Sequence, residues 1–354
     1  MTTRLSLALL VAASGLRAQA PERFPLTGDA VAIYNLAGML RVEAGTGSDV
    51  VVELTRGGRD AAKLKVESGP LRDRTTLRVI YPDDDIYYAG EGGYGNSTLE
   101  VREDGTFGDD GDHHHVGYIR GNGHRVRISS RGDGLDAHAD LRVLVPAGKR
   151  VAVHLAVGRA TVSNVNGTLL VDVSSANVSA TGTKGSLTID AGSGNVDVSD
   201  AQGEVNLDTG SGDVRITGVT GGTVSLDTGS GSATGERIQA DVLSVDTGSG
   251  DVEFAAVSSP NVKIDTGSGN VRLTLDGRLR DLDVDTGSGD VTLTVPATIG
   301  GDIYIDTGSG GIDLGGLTVQ VTKLEKDHVV GRIGTGTGHY KIETGSGEVR
   351  LVKS

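Results

Sequence analysis

Residues 205–217 read Val-Asn-Leu-Asp-Thr-Gly-Ser-Gly-Asp-Val-Arg-Ile-Thr. Apolar and polar residues alternate through Val205, Asn206, Leu207 and Asp208, and again through Val214, Arg215, Ile216 and Thr217. That period of two specifies strand on both sides. Between them Gly210-Ser211-Gly212 supplies a sharp corner, because glycine tolerates the backbone angles such a corner demands. The unit is therefore strand, corner, strand and a looser return, such as Gly218 to Thr223.

The unit repeats. Asp-Thr-Gly-Ser-Gly begins at Asp208, Asp227, Asp246, Asp265, Asp285 and Asp306, with variants at Asp190 (Asp-Ala-Gly-Ser-Gly) and Glu343 (Glu-Thr-Gly-Ser-Gly). Successive spacings from Asp190 are 18, 19, 19, 19, 20 and 21, then 37 to Glu343, about two periods. Stepping back by 18 reaches Asp172 and then His154, and Glu43 to Val50 looks like a further copy. One such unit cannot bury its own Val, Leu and Ile face, whereas stacked copies can. The expected fold is all-β: a single-stranded parallel β-helix, or β-solenoid, right-handed by the chirality bias of parallel crossovers, with 18–21 residues per rung. Eight to ten rungs would make a rod of roughly 40 to 50 Å.

Parity assigns the columns. If Leu207 points inward, Thr209 does too, and so do Thr228, Thr247, Thr266, Thr286 and Thr307, a buried column able to pass hydroxyl hydrogen bonds from rung to rung. Asp190, Asp208, Asp227, Asp246, Asp265, Asp285, Asp306 and Glu343 then form an outward ladder. Like charges about 4.8 Å apart repel by about 0.9 kcal/mol in water. An Asx-turn, with each Asp accepting backbone N–H groups of its own corner, is the expected offset.

Composition agrees. The 354 residues include 56 Gly, 3% aromatics, and no Trp or Cys, too few bulky side chains for a conventional deep core. Without Cys there are no disulfides, thiolate zinc sites, iron–sulfur clusters or Cys nucleophiles. The formal charge of 33 − 47 = −14 and the shortage of stacking platforms exclude nucleic acid as a partner. Arg4, the apolar run Leu5 to Ala13, and Ala18-Gln19-Ala20 read as an export signal over 1–20, cut after Ala18 or Ala20. No later stretch is long and apolar enough to be a transmembrane segment. Residues 21–150 read as an N-terminal β cap and the strands leading into the coil. Within them, 82–123 is expected to be an exposed, flexible insertion rich in Gly, Tyr, Asp and His. Residues 151–354 are the coil with a C-terminal cap, in which Val319 to Val330 suggests a hairpin before a last rung at Glu343.

The motif Leu141-Arg-Val-Leu-Val-Pro146-x-Gly148-x-x-Val151, followed by serial Thr-Gly-Ser-Gly-[Asp/Asn]-Val turns, resembles the bacterial putative-adhesin β-solenoid family, exported proteins of unknown function. The resemblance spans about residues 30–354. It implies a parallel β-helix in the cell envelope and carries over no catalytic residue; the 82–123 insertion lies outside the family pattern.

Three features could carry chemistry. Asp208 with Asp213, Asp246 with Asp251, and Asp285 with Asp290 place paired carboxylates around a corner, where stacked rungs could share calcium. The second carboxylate does not persist, being Asn195, Ser232, Asn270 or Gly311 elsewhere, and no calcium nonapeptide or EF-hand loop is present. His113, His114 and His115 beside Asp109 and Asp112 resemble a metal cluster, although adjacent strand residues point to opposite sides. Tyr81, Tyr87, Tyr88 and Tyr94 could make a contact loop. A polysaccharide-cleaving site should break the repeat with a distinct set of carboxylates, and His154, His328 and His339 have no visible partners. The expectation is a non-catalytic, exported scaffold, periplasmic or surface-exposed, without a cofactor. Its partner would be an envelope macromolecule, protein or polysaccharide. A calcium-stabilised rod and a polysaccharide-cleaving enzyme are the alternatives.

Overall fold

The computed structural model describes residues 20–90, 97–108, 123–277 and 279–354. Its described residues are nearly all strand, with one short 3-10 turn at Ala61–Lys63. Parallel strands wind around a closed axis. Strand Lys149–Ser163 lies beside Asn166–Thr181, and the ladder then passes through Asp172, Asp190, Asp208, Asp227, Asp246, Asp265 and Asp285, each opposite the next. Beyond the corner a second ladder runs Val178, Val196, Val214, Ala233, Val252, Val271 and Val291.

The inward columns are apolar: Leu187, Val205, Val224, Leu243, Val262 and Leu282 in one, and Ile189, Leu207, Leu226, Val245, Ile264 and Val284 in the next, all buried. Each such side chain contributes about 1.5–3 kcal/mol relative to exposure. Thr209, Thr228, Thr247, Thr266 and Thr286 are buried beside them, and so is Thr344. The Thr228 hydroxyl donates to the Gly212 carbonyl of the preceding rung (3.0 Å) and accepts the Gly231 N–H of its own corner (3.1 Å). Thr247, Thr286 and Thr344 repeat the pattern. In this threonine column the rungs are thus joined through backbone carbonyls and not by hydroxyl-to-hydroxyl bonds.

This hydroxyl also replaces the expected Asx-turn. Asp208, Asp227, Asp246, Asp265 and Asp285 make no side-chain hydrogen bond to their corners; Asp306 alone of the Asp-Thr-Gly-Ser-Gly aspartates does so, accepting from Gly308 N–H (3.0 Å). A threonine at the buried second position already satisfies the corner, which leaves the outward carboxylate with nothing to cap.

At the head, Ala30–Ala44 stacks on Lys149–Ser163 with Tyr34 opposite His154 and Gly38 opposite Gly158. Glu43 faces Ser163 instead, so the stretch from Glu43 is not a copy of the corner. It resembles one only in its glycine and acid content; the equivalent position holds Tyr34. His138–Val145 pairs with Ala30–Ala44 and, antiparallel, with Val50–Gly57, which pairs with Glu22–Leu26. The hairpin Lys65–Leu71 and Arg74–Ile80 closes the other flank.

The 82–123 segment is not simply an exposed loop. Asp85–Tyr87 and Ser97–Arg102 join Gly123–Ser129 and Leu135–Asp136 in a second, four-stranded sheet. Ile86, Tyr88, Val101 and Phe107 are buried. Tyr81 is buried as well, donating its hydroxyl to Asn35 Oδ1 at 2.9 Å. A few widely spaced apolar residues suffice here because the coil supplies the other half of the core.

The tail departs from chain order. Asp281–Thr286 pairs with Gly338–Thr344, and Gly338–Thr344 pairs with Gly301–Asp306. On the second flank Val349–Lys353 lies between Val291–Val295 and Ile312–Asp313. The Glu343 rung is therefore inserted between two earlier ones and is not the end of the rod. The end is Gly301–Asp306, capped antiparallel by His328–Ile333, which forms the expected hairpin with Val319–Leu324.

Candidate functional site

One outward column in the middle of the coil is small and neutral: Thr188, Asn206, Ser225 and Ser244 follow one another across the strands. The same column continues as Lys263, Asp283, Lys341 and Tyr304. Its neighbour runs Thr223, Val242, Asn261, Asp281, His339 and Asp302. The hairpin Val319–Leu324 and His328–Ile333 adds Gln320, Thr322, Val330 and Arg332 to the lining, and the open groove so formed holds about 1060 Å³. The repeat breaks where the groove begins.

Its carboxylates are paired. Arg332 reaches Asp302 at 2.5 Å, Lys341 reaches Glu343 at 2.6 Å and Asp283 at 3.9 Å, and Arg280 reaches Asp281 at 2.8 Å. The hydrogen bond to Glu343 holds the Lys341 ammonium above its ordinary pKa. Just outside, His328 Nδ1 lies 3.1 Å from Asp306 Oδ2, and its ring stands edge-to-face with Tyr304 at 5.1 Å. Asp306 is held below the usual carboxylate range by the Gly308 N–H and by His328.

A second cluster lies at the head. His154 is buried, its Nδ1 is 2.8 Å from Asp172 Oδ2, and its Nε2 has no partner. Its ring stacks on Tyr34 at 4.4 Å, with Phe107 across at 6.2 Å. A Cβ on Gly108 would overlap the Asp172 carboxylate, so this chain segment seals the pair. The cluster is a closed clasp between the inserted segment and the coil. All three histidines that looked unpartnered in sequence lie near a carboxylate: His154 faces Asp172 and His328 faces Asp306, both of the ladder, and His339 lies 3.9 Å from Asp302 in the groove. The 18-residue offset between His154 and Asp172 was the available signal.

The remaining candidates fall as follows. Asp213, Asp251 and Asp290 each accept a backbone N–H from the next rung, of Ser232, Asn270 and Glu348. Asn195 and Asn270 do the same, which explains why Asp and Asn interchange there. Among the described residues no three His, Asp or Glu side chains converge as a metal site. Tyr88 is buried against His138 and Tyr87 is half-buried, so these two do not form an exposed contact loop. Tyr94, His113, His114, His115 and the 1–19 part of the signal lie outside the described residues. Among the described residues no helix is long and apolar enough to cross a membrane.

The outward ladder is electrostatically strained. Asp227, Asp246 and Asp285 are pushed above the ordinary carboxylate pKa, first by partial burial and then by the neighbouring carboxylates. A carboxyl whose pKa is higher folded than unfolded opposes folding above that window, and the penalty fades as pH falls through it. Asp306 has the opposite sign, so its contribution is lost in acid. Asp246→Asn should therefore raise the melting temperature at neutral pH and low salt, the stability gained being a few tenths to about 1 kcal/mol. The gain should shrink near roughly 1 M salt, where screening is about 3 Å, to the part owed to partial burial. Thermal melts of both proteins at both salts check this; an unchanged or lowered value at low salt contradicts it.

Comparison with known proteins places the chain. No curated protein matches it. Among solved structures, one described as a putative cell adhesion protein from Clostridium sporogenes aligns over 94% of this chain and 100% of its own, at 10% identity and a TM-score of 0.19. That likeness is too slight to carry an argument. The model of the Toastrack DUF4097 family matches residues 140–352, which include the strand leading into the coil and nearly every rung, and the chain belongs to that family.

Proposed function

We propose that this chain is an exported envelope protein that acts without catalysis, as a stiff rod holding its C-terminal groove toward another macromolecule. Residues 1–20 would be the signal, 21–150 the cap and leading strands, and 151–354 a right-handed coil of 18–21 residues per rung. The observation that carries the reading is the charge pairing in the groove. A glycosidase needs a carboxylic acid of raised pKa beside an ionised carboxylate. Here Asp281, Asp283, Asp302 and Glu343 each face a cation, so none of them is a lone carboxyl in an apolar setting. Calcium is not part of the proposal, since Asp213, Asp251 and Asp290 already serve backbone donors.

The groove's non-repeating carboxylates do favour a second reading, a polysaccharide-cleaving enzyme, over a calcium-stabilised rod. Incubating the purified protein with plant and bacterial polysaccharides and assaying new reducing ends separates the two. The scaffold reading expects none above background. Saturable turnover abolished by Asp283→Asn or Asp302→Asn would replace it with the enzyme.

A further inference from the structure

We infer that the C-terminal groove binds a neutral glycan chain; the inference rests on the scaffold reading above and names its ligand. The floor of the groove is the face of a sheet, not its edge. Asn261–Thr266, Asp281–Thr286, Gly338–Thr344 and Gly301–Asp306 use their backbone groups on one another. An extended peptide, which binds by adding a strand, gains no main-chain hydrogen bonds from such a surface. A ligand lying on that floor meets side-chain tips only.

Those tips form an alternating set. Across the four strands, at steps of about 4.8 Å, one column offers Lys263, Asp283, Lys341 and Tyr304. Donor, acceptor and donor lead to an aromatic ring. Sugar hydroxyls both donate and accept, so a polyhydroxyl chain lying across the strands finds a partner at each step. A polyanion is matched poorly. The lining holds Lys263, Lys341 and Arg332 against Asp281, Asp283, Asp302 and Glu343, a balance of 3 − 4 = −1, and two of its cations are already in ion pairs.

Tyr304 supplies the stacking face. Tyr34, Tyr81, Tyr88 and Tyr340 are buried, whereas Tyr304 is half-buried, lines the groove, and is held by its hydroxyl on Asp306 (3.4 Å) and by His328. The groove, at about 1060 Å³ and open, suits several linked rings better than a single small molecule.

The test is calorimetry of the purified full-length protein with cellotetraose, xylotetraose, mannotetraose and chitotetraose, and with tetragalacturonate and an unstructured peptide as contrasts. At least one neutral tetrasaccharide should bind, its disaccharide more weakly. Tyr304→Ala and, separately, Lys263→Ala should weaken binding roughly tenfold. Lys263 is exposed, so its variant should melt like the parent even if Tyr304→Ala loosens the end. No neutral ligand, a preference for tetragalacturonate or the peptide, or affinity indifferent to both variants would overturn the inference. None of those results would touch the scaffold reading, which falls only to turnover.

Discussion

Gly250→Ala is expected to lower the melting temperature by about 6–12 °C, corresponding to about 3 kcal/mol or more. The cause is the neighbouring rung. A Cβ on Gly250 would overlap the carbonyl group of Gly231, and Gly212, Gly231, Gly269 and Gly289 stand in the same relation to the rung before each. Backbone faces backbone here, so no side chain can rotate away. The same corner carries the Thr247 hydroxyl, which bonds Gly231 O at 3.0 Å and Gly250 N–H at 3.1 Å. Forcing the rungs apart loses these bonds too, at about 1 kcal/mol each. Because each rung touches only its neighbours, the damage should be centred on the rungs flanking Gly250.

Ending the chain at Ile333 should have a still larger effect, confined to one end. Residues 338–344 fill the space between the Asp281–Thr286 and Gly301–Asp306 strands, and 349–353 the space between Val291–Val295 and Ile312–Asp313. Their removal takes away the buried side chains of Tyr340, Ile342, Val349 and Leu351. At about 1.5–3 kcal/mol each, that is roughly 6–12 kcal/mol of apolar burial. It also leaves two strand edges facing a gap one strand wide, an invitation to aggregation. Hydrogen exchange should show strands from Lys149 through Leu275 still protected, Asp281–Thr286 and Val291–Val295 protected only on the side that faces them, and 301–333 exchanging freely. Full protection of 281–333 would mean that Gly301–Asp306 can close directly onto Asp281–Thr286, and would contradict the inserted order.

The coil was legible because its signal is local and repeated: alternation around Gly210-Ser211-Gly212 fixes the strands, and the recurrence of Asp208 at Asp227, Asp246, Asp265 and Asp285 fixes their stacking. Three things were hidden. A Glu343 rung looks the same in sequence whether it comes last or is inserted beside Asp285, since the pentad carries no information about which rung it follows. Tyr81 and Tyr88 looked like surface residues because the core they enter belongs to strands far away in sequence. The groove was missed because its floor is assembled from residues as far apart as Lys263 and Lys341, each unremarkable within its own strand. Ignoring the interior and following one outward column from Thr188 to Tyr304 would have found it.

The choice of the corner aspartates as caps failed for a simpler reason. Both Asp208 and Thr209 can cap a turn, and the parity that buries Thr209 gives the task to the hydroxyl, which must be satisfied there in any case. The aspartate is left outside, where it repels its neighbours.

Stacking of like on like is tested most directly by melting two glycine variants side by side. Gly222 also lies in a coil strand, but a Cβ there meets nothing within 4 Å. Gly222→Ala should melt at or slightly above the parent, while Gly250→Ala falls by about 6–12 °C. Equal melting temperatures for the two variants would mean that Gly250 does not press on the carbonyl of Gly231, and that the rungs are not stacked as described.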